Sequence, residues 1–139
     1  MMAIKKKGNP VLKQVAQKVP EKENVIALIS AMFLTMRSHQ GIGLAANQVG
    51  ELKRVIVIGN SGFNQAIINP VIIKRYGRKG VSCEGCLSYP GKVVKMKRYK
   101  QIIVEGFDQD WQPVRFKLKG LNAYIVQHEV DHLNGITIG

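Results

Sequence analysis

The chain has 139 residues and a mass of 15.5 kDa, the size of one domain spanning residues 1–139, and a chain of this length buries roughly 70% of its unfolded surface on folding. Apolar residues make up 45% and charged residues 22%, and no run of 18 apolar residues occurs, which excludes a disordered chain and a helical membrane span. Twenty-one Lys and Arg against nine Asp and Glu leave a net charge of +12, a field that attracts nucleic acid, anionic surfaces or acidic substrates.

In chain order, the polar N-terminus from Met1 to Pro10 lacks the apolar stretch of a secretion signal, so a cytoplasmic protein is expected. Residues Asn24 to Ser38 place Val25, Ile29, Met32, Phe33 and Met36 on one helical stripe, which predicts a helix with a buried face. Gly41 to Asn47 breaks that pattern with small residues. From Lys53 to Ile73 the chain turns β-branched, with Val55–Ile58, Ile67–Ile68 and, after Pro70, Val71–Ile73. Strands are expected over Lys92–Gly106 and Val114–Lys119, separated by the turn signal Asp108-Gln109-Asp110. Leu121 to Leu133 reads as a closing helix with Leu121, Ile125, His128 and His132 on one face and Gly135 as its stop. This order predicts an α+β fold: mostly antiparallel strands packed around a buried C-terminal helix.

The basic residues are spread out, with denser patches at Lys5–Lys7, Lys74–Lys79 and Lys92–Lys100, and none is interleaved with several aromatics as a single-strand stacking platform requires. Two cysteines, Cys83 and Cys86, are too few for a disulfide framework and better suited to metal or redox chemistry.

The segment Gln127-His128-Glu129-Val130-Asp131-His132 carries the spacing H-E-x-x-H. On a helix, residues four apart lie one turn above each other, so both imidazoles reach one ion while Glu129 stands ready to hold a water beside it. Asp131 is either a carboxylate accepting from a ligand imidazole or a nearby cation, or an ordinary exposed helix residue.

Ser82-Cys83-Glu84-Gly85-Cys86-Leu87-Ser88 supplies a thiolate. Two readings compete. Both cysteines with both histidines would make a closed structural zinc site, as in a nucleic-acid-binding module; one cysteine leaves a Cys-His-His site with an open position, the arrangement of a catalytic metal. The long gap between Cys86 and His128 departs from finger spacing, and a closed site has no use for Glu129, which favours Cys86 as the ligand and Cys83 as a small buried residue. A peptidase of the H-E-x-x-H kind is the other enzyme reading, and the thiolate argues against it. In Gly41-Ile42-Gly43-Leu44-Ala45-Ala46-Asn47-Gln48, the small residues permit close backbone approach, and Gln48 offers an amide N–H to a developing oxyanion.

Taken together, Gly41–Gln48, Glu84–Ser88 and Gln127–Gly135 resemble the three motifs of the peptide deformylase family, complete and in order, and the likeness extends over most of the chain, including Ile68-Asn69-Pro70. The resemblance implies an enzyme that removes the N-formyl group from formylmethionyl nascent peptides. Cys86, His128 and His132 would hold one divalent ion, commonly Fe(II), with Zn, Ni or Co able to replace it. Glu129 would serve as general base, and Gln48 with the Leu87 backbone N–H would stabilise the oxyanion. Gly43 and Gly85 would pair with the extended substrate, and Ile42, Tyr124 and Ile125 would line the pocket for its methionine side chain. The chain ends four residues after Gly135, where many bacterial relatives continue into a helix that docks on the ribosome; it is similar in this to short forms carried by phages, which would act in a host cytoplasm. The expectation is a monomer with no membrane partner that touches ribosomal RNA, if at all, through its basic patches. Lys92 stands where many relatives carry a substrate-orienting arginine.

Overall fold

The computed structural model describes residues 1–139. After a 3-10 turn at Pro10–Lys13 come helix α1 (Ile26–Ser38), strand β1 (Gly43–Ala45) and a second 3-10 turn (Ala46–Val49). Strands β2 (Val55–Asn60), β3 (Phe63–Cys86), β4 (Tyr89–Phe107) and β5 (Pro113–Lys119) follow, and helix α2 (Leu121–Leu133) closes the order. The five strands form one sheet in the order β1-β2-β3-β4-β5, and every neighbouring pair is antiparallel. This is the α+β, antiparallel architecture expected from the residue pattern, with α2 packed against the sheet.

Strand β2 explains its own composition. Ile56 and Ile58 enter one core cluster with Ile102, Val104, Leu118 and the α2 residues Ile125, Val126 and Val130. Val55 and Val57 enter a second, with Ile29, Met32 and Met36 of α1. A strand buried on both faces reads as an unbroken apolar run rather than an alternation.

Helix α1 starts at Ile26, two residues later than expected, because the Asn24 side chain accepts from the Ile26 N–H at 3.0 Å and ends the preceding turn. Phe33 is only half-buried: the Arg37 guanidinium lies 5.0 Å from its ring, at the margin of the apolar stripe. In α2, Ile125, His128 and His132 are buried as expected, but Leu121, the first residue of the helix, is exposed at the rim of a cavity. Gly135 follows the helix with φ of +74°, and a Cβ there would fall 2.5 Å from the Lys13 carbonyl oxygen, so only glycine ends the helix in this way.

The largest departure is β3. The β-branched signal stops at Ile73, yet the strand runs on through Lys74-Arg75-Tyr76-Gly77-Arg78-Lys79 to Cys86. These residues carry no strand signature of their own. They are held by the ladder to β4, with register shifts after Ile68, Ile72 and Tyr76 that absorb extra residues. At the first shift Asn69 takes φ of +52°, and its side chain bonds both the N–H and the carbonyl of Val19.

Candidate metal centre and active site

Cys86 is the last residue of β3, where the strand breaks into the turn at Leu87 and Ser88. Across from it, His128 and His132 lie one turn apart on α2. Cys86 Sγ is 3.3 Å from His132 Nε2, and His132 Nε2 is 3.2 Å from His128 Nε2. Bonds of about 2.0–2.1 Å to nitrogen and 2.3 Å to sulfur around a tetrahedral ion would set such atoms roughly 3.3–3.6 Å apart. The trio therefore fits one first-row metal ion, and all three ligand atoms converge within 4.8 Å of one another.

The support behind this trio is a buried ion-pair chain. Glu84 Oε1 lies 2.8 Å from His128 Nδ1, which fixes that nitrogen as the donor and turns the Nε2 lone pair toward the site. Arg98 grips Glu84 with two hydrogen bonds, at 2.8 and 2.9 Å, and donates a third to Asp131. Glu84 and Arg98 are both buried. Burial alone would raise the Glu84 carboxyl, but the hydrogen bonds from Arg98, His128 and Ser82 and the Arg98 charge outweigh it and hold it down at about 2. Burial would likewise lower His128, yet the Glu129 charge with Cys86 and Glu84 lifts it to about 10. His132 goes the other way, to about 3, through burial and the positive neighbours His128 and Arg98. The two imidazole nitrogens and the sulfur converge closely enough to share one cation, a proton or a metal ion.

Glu129 is buried in the cavity wall beside the trio, and its Oε1 has no hydrogen-bond partner in the protein. Burial, with repulsion from Glu84 and Asp131 adding to it and the His128 and Arg98 charges opposing, pushes its pKa up to about 7. Strand β1 presses directly on this carboxylate: a Cβ at Gly43 would lie 2.5 Å from Glu129 Oε2 and 2.8 Å from Ile125 Cγ2. Gln48, at the end of the following 3-10 turn, accepts from the Ala45 N–H through Oε1 at 3.0 Å. That bond fixes its amide orientation and aims Nε2 at Cys86 Sγ (3.4 Å) and Ser88 Oγ (3.2 Å).

These groups open onto a cavity of about 650 Å³. Its wall includes Ile42, Gly43, Gln48, Gly85, Cys86 and Leu87 from the strand and turn segments, and Tyr124, Ile125, His128 and Glu129 from α2; His132 lies behind them, fully buried. Every residue singled out from the sequence for metal, catalysis or substrate is therefore in or against one cavity. Lys92 stands exposed at its rim. Cys83 is a correction: it is exposed rather than buried, because the strand alternation that turns Glu84 inward turns Cys83 out, and it is no part of the ligand cluster. Asp131 proves to be the partner of Arg98. Three partners went unseen in the sequence: Glu84, which holds His128, Arg98, hidden in a run of surface lysines, and Ser88, fully buried against Gln48. The only signal for Arg98 is that the period-two alternation from Val94 and Met96 points it inward.

With this geometry in place, comparison with known proteins is direct. The family model for polypeptide deformylase matches residues 1–139. A peptide deformylase of Dictyoglomus turgidum is 45% identical over 139 residues, covering 99% of this chain and 90% of the relative. The structure of a deformylase from a Vibrio parahaemolyticus bacteriophage, solved in complex with actinonin, superposes with a TM-score of 0.96 at 49% identity, covering 99% of this chain and 100% of that one. Peptide deformylase from Thermotoga maritima gives a TM-score of 0.95 at 39% identity, with 99% and 95% covered. A thiolate and two imidazoles converging beside a buried glutamate are what a metal-dependent amide hydrolase needs, and the match of both sequence and fold over the full length makes the assignment specific: this chain belongs to the polypeptide deformylase family, the enzymes that remove the formyl group from the N-terminus of polypeptides.

Proposed function

We propose that the chain acts as a single catalytic domain, residues 1–139, on N-formylmethionyl peptides as they leave the ribosome, with Glu129 as the proton carrier of the reaction. Cys86, His128 and His132 hold one divalent ion, Fe(II) in the native enzyme with Zn, Ni or Co as substitutes, and that ion supplies the Lewis acidity that makes water nucleophilic near neutral pH. The Glu129 carboxylate takes a proton from the attacking water and returns it to the departing amine, which frees formate and a new N-terminus. A pKa raised toward neutrality suits both the uptake and the return of that proton. Gln48 Nε2 and the Leu87 N–H, which enters no hydrogen bond within the protein, donate to the formyl oxygen as it gains charge; such donors are each worth about 3–4 kcal/mol. Backbone at Gly43 and Gly85 holds the peptide extended. Ile42, Tyr124 and Ile125 receive the methionine side chain. The proposed setting is the cytoplasm, as a monomer; no helix is long and apolar enough to cross a membrane.

The observation that carries this reading is the buried, unpartnered Glu129 Oε1 one residue from a metal ligand. Glu129→Gln should leave the metal content unchanged by elemental analysis and lower formate release from a formyl-Met tripeptide by about 10²–10⁴-fold. Full activity in that variant would remove Glu129 from the proton path.

A further inference from the structure

The positive charge of this chain is concentrated in one region. Strands β3, β4 and β5 hold twelve of its Lys and Arg and two of its carboxylates, so ten of the twelve net charges lie there. Both carboxylates are already matched: Glu84 by Arg98 in the interior, Glu105 by Arg115 at 3.2 Å on the surface. The register sets Lys97 opposite Val81, and farther along the sheet it aligns Lys117 with Ile103 and Lys74, and Lys119 with Gln101 and Tyr76, in rows across three strands. The residues alternating with them, Arg98, Ile102 and Leu118, are buried, so these lysines stand exposed on the solvent side, and none lines the catalytic cavity.

The structure also pairs these cations with aromatic rings, which their linear order did not show. The ammonium of Lys74 lies 5.0 Å from the Tyr76 ring centroid, and that of Lys79, opposite Tyr99 in the ladder, lies 5.0 Å from its ring. Alternate residues along a strand repeat at roughly 7 Å and neighbouring strands at about 4.8 Å, so the face is a lattice of point charges, with the half-buried Tyr76 ring among them and the Tyr99 ring packed partly against the core beneath Lys79. The exposed apolar residues of these strands are the aliphatic Val71, Ile73, Val81 and Val93, with no Trp, Phe or Leu among them, whereas interfacial membrane binding leans on Trp, Phe and Leu. Lysine rows with tyrosines among them are the chemistry that holds a flexible polyanion carrying stackable bases.

We propose that the outer face of β3, β4 and β5 binds single-stranded RNA, with phosphates on the lysine rows. The proposal uses no residue of the catalytic cavity and stands apart from the assignment of the deformylation roles. The metal-loaded full chain is titrated against a fluorescein-labelled 20-nucleotide single-stranded RNA, with phosphatidylglycerol vesicles of equal total charge as the comparison. Neutralising about four phosphates gives a salt slope near −3, so the affinity should fall about 50-fold between 50 and 200 mM salt. The combined variant Lys97→Glu, Lys117→Glu, Lys119→Glu should lose at least about 30-fold at 100 mM salt, and the corresponding triple Gln variant an intermediate amount. Both should keep the wild-type melting temperature and formate release. RNA binding unaffected by the triple Glu variant, no binding at 50 mM salt, or tighter capture by the vesicles than by the RNA would each overturn it.

Discussion

Arg98 and Lys97 are neighbours in β4, and the two faces they serve handle charge in opposite ways. On the inner face Arg98 is buried, and each of its bonds goes to a carboxylate that positions part of the metal centre. Glu84 orients His128, and Asp131 anchors the last turn of the metal-binding helix. On the outer face Lys97 is exposed opposite Val81, with no carboxylate against it. Inside, Arg98 and the carboxylates of Glu84 and Asp131 are matched to one another because an unmatched charge is costly to bury, and only the Glu129 carboxyl, facing the cavity, goes without such a partner. Outside, water carries that cost, so cations can accumulate without partners. One strand pair thus builds a closed electrostatic unit on one side and an open one on the other.

The sharpest way to break the contrast is to remove the inner cation. Arg98→Leu leaves Glu84 and Asp131 without their counter-charge, and denaturant unfolding should show a loss of about 3–5 kcal/mol. Metal affinity, measured by competition with a chromogenic chelator, should fall about 10–100-fold as His128 loses its fixed partner. Acid reaches the same unit more gently. Because Glu84 is held at about 2 against an ordinary 4.5, its pairing stabilises the folded protein fully above about pH 4.5 and is lost as pH falls from there toward 2. Melting temperature followed over that interval should drop in the wild type, and the part of the drop due to Glu84 should vanish in Glu84→Gln. The outer face should respond least: Lys97→Met should change unfolding free energy by no more than about 0.5 kcal/mol in the same denaturant titration.

Much of the site was legible because its chemistry is local in sequence. Two histidines four apart need only a helix to meet, and the Val55–Ile58 run needs only a strand with two covered faces. What stayed hidden depends on register. Arg98 looks like one more cation in Lys95-Met96-Lys97-Arg98 until the ladder sets it opposite Gly80 and beside Glu84. Cys83 is misplaced for the same reason: a small buried residue is expected there, but the strand alternation that turns Glu84 inward leaves it exposed. The charged stretch Lys74–Lys79 showed neither its strand nor the contact of Lys79 with Tyr99, because β4 supplies both.

Strand β2 has a consequence for how this molecule opens. Its residues Val55 to Ile58 are fully buried, paired in register with β1 from Ile56 on and with β3 throughout, and roofed by a helix on each side. Their amide protons can meet solvent deuterium only when both cores come apart together, so the slowest exchange in the molecule should be found there, and its rate reports the global unfolding free energy directly.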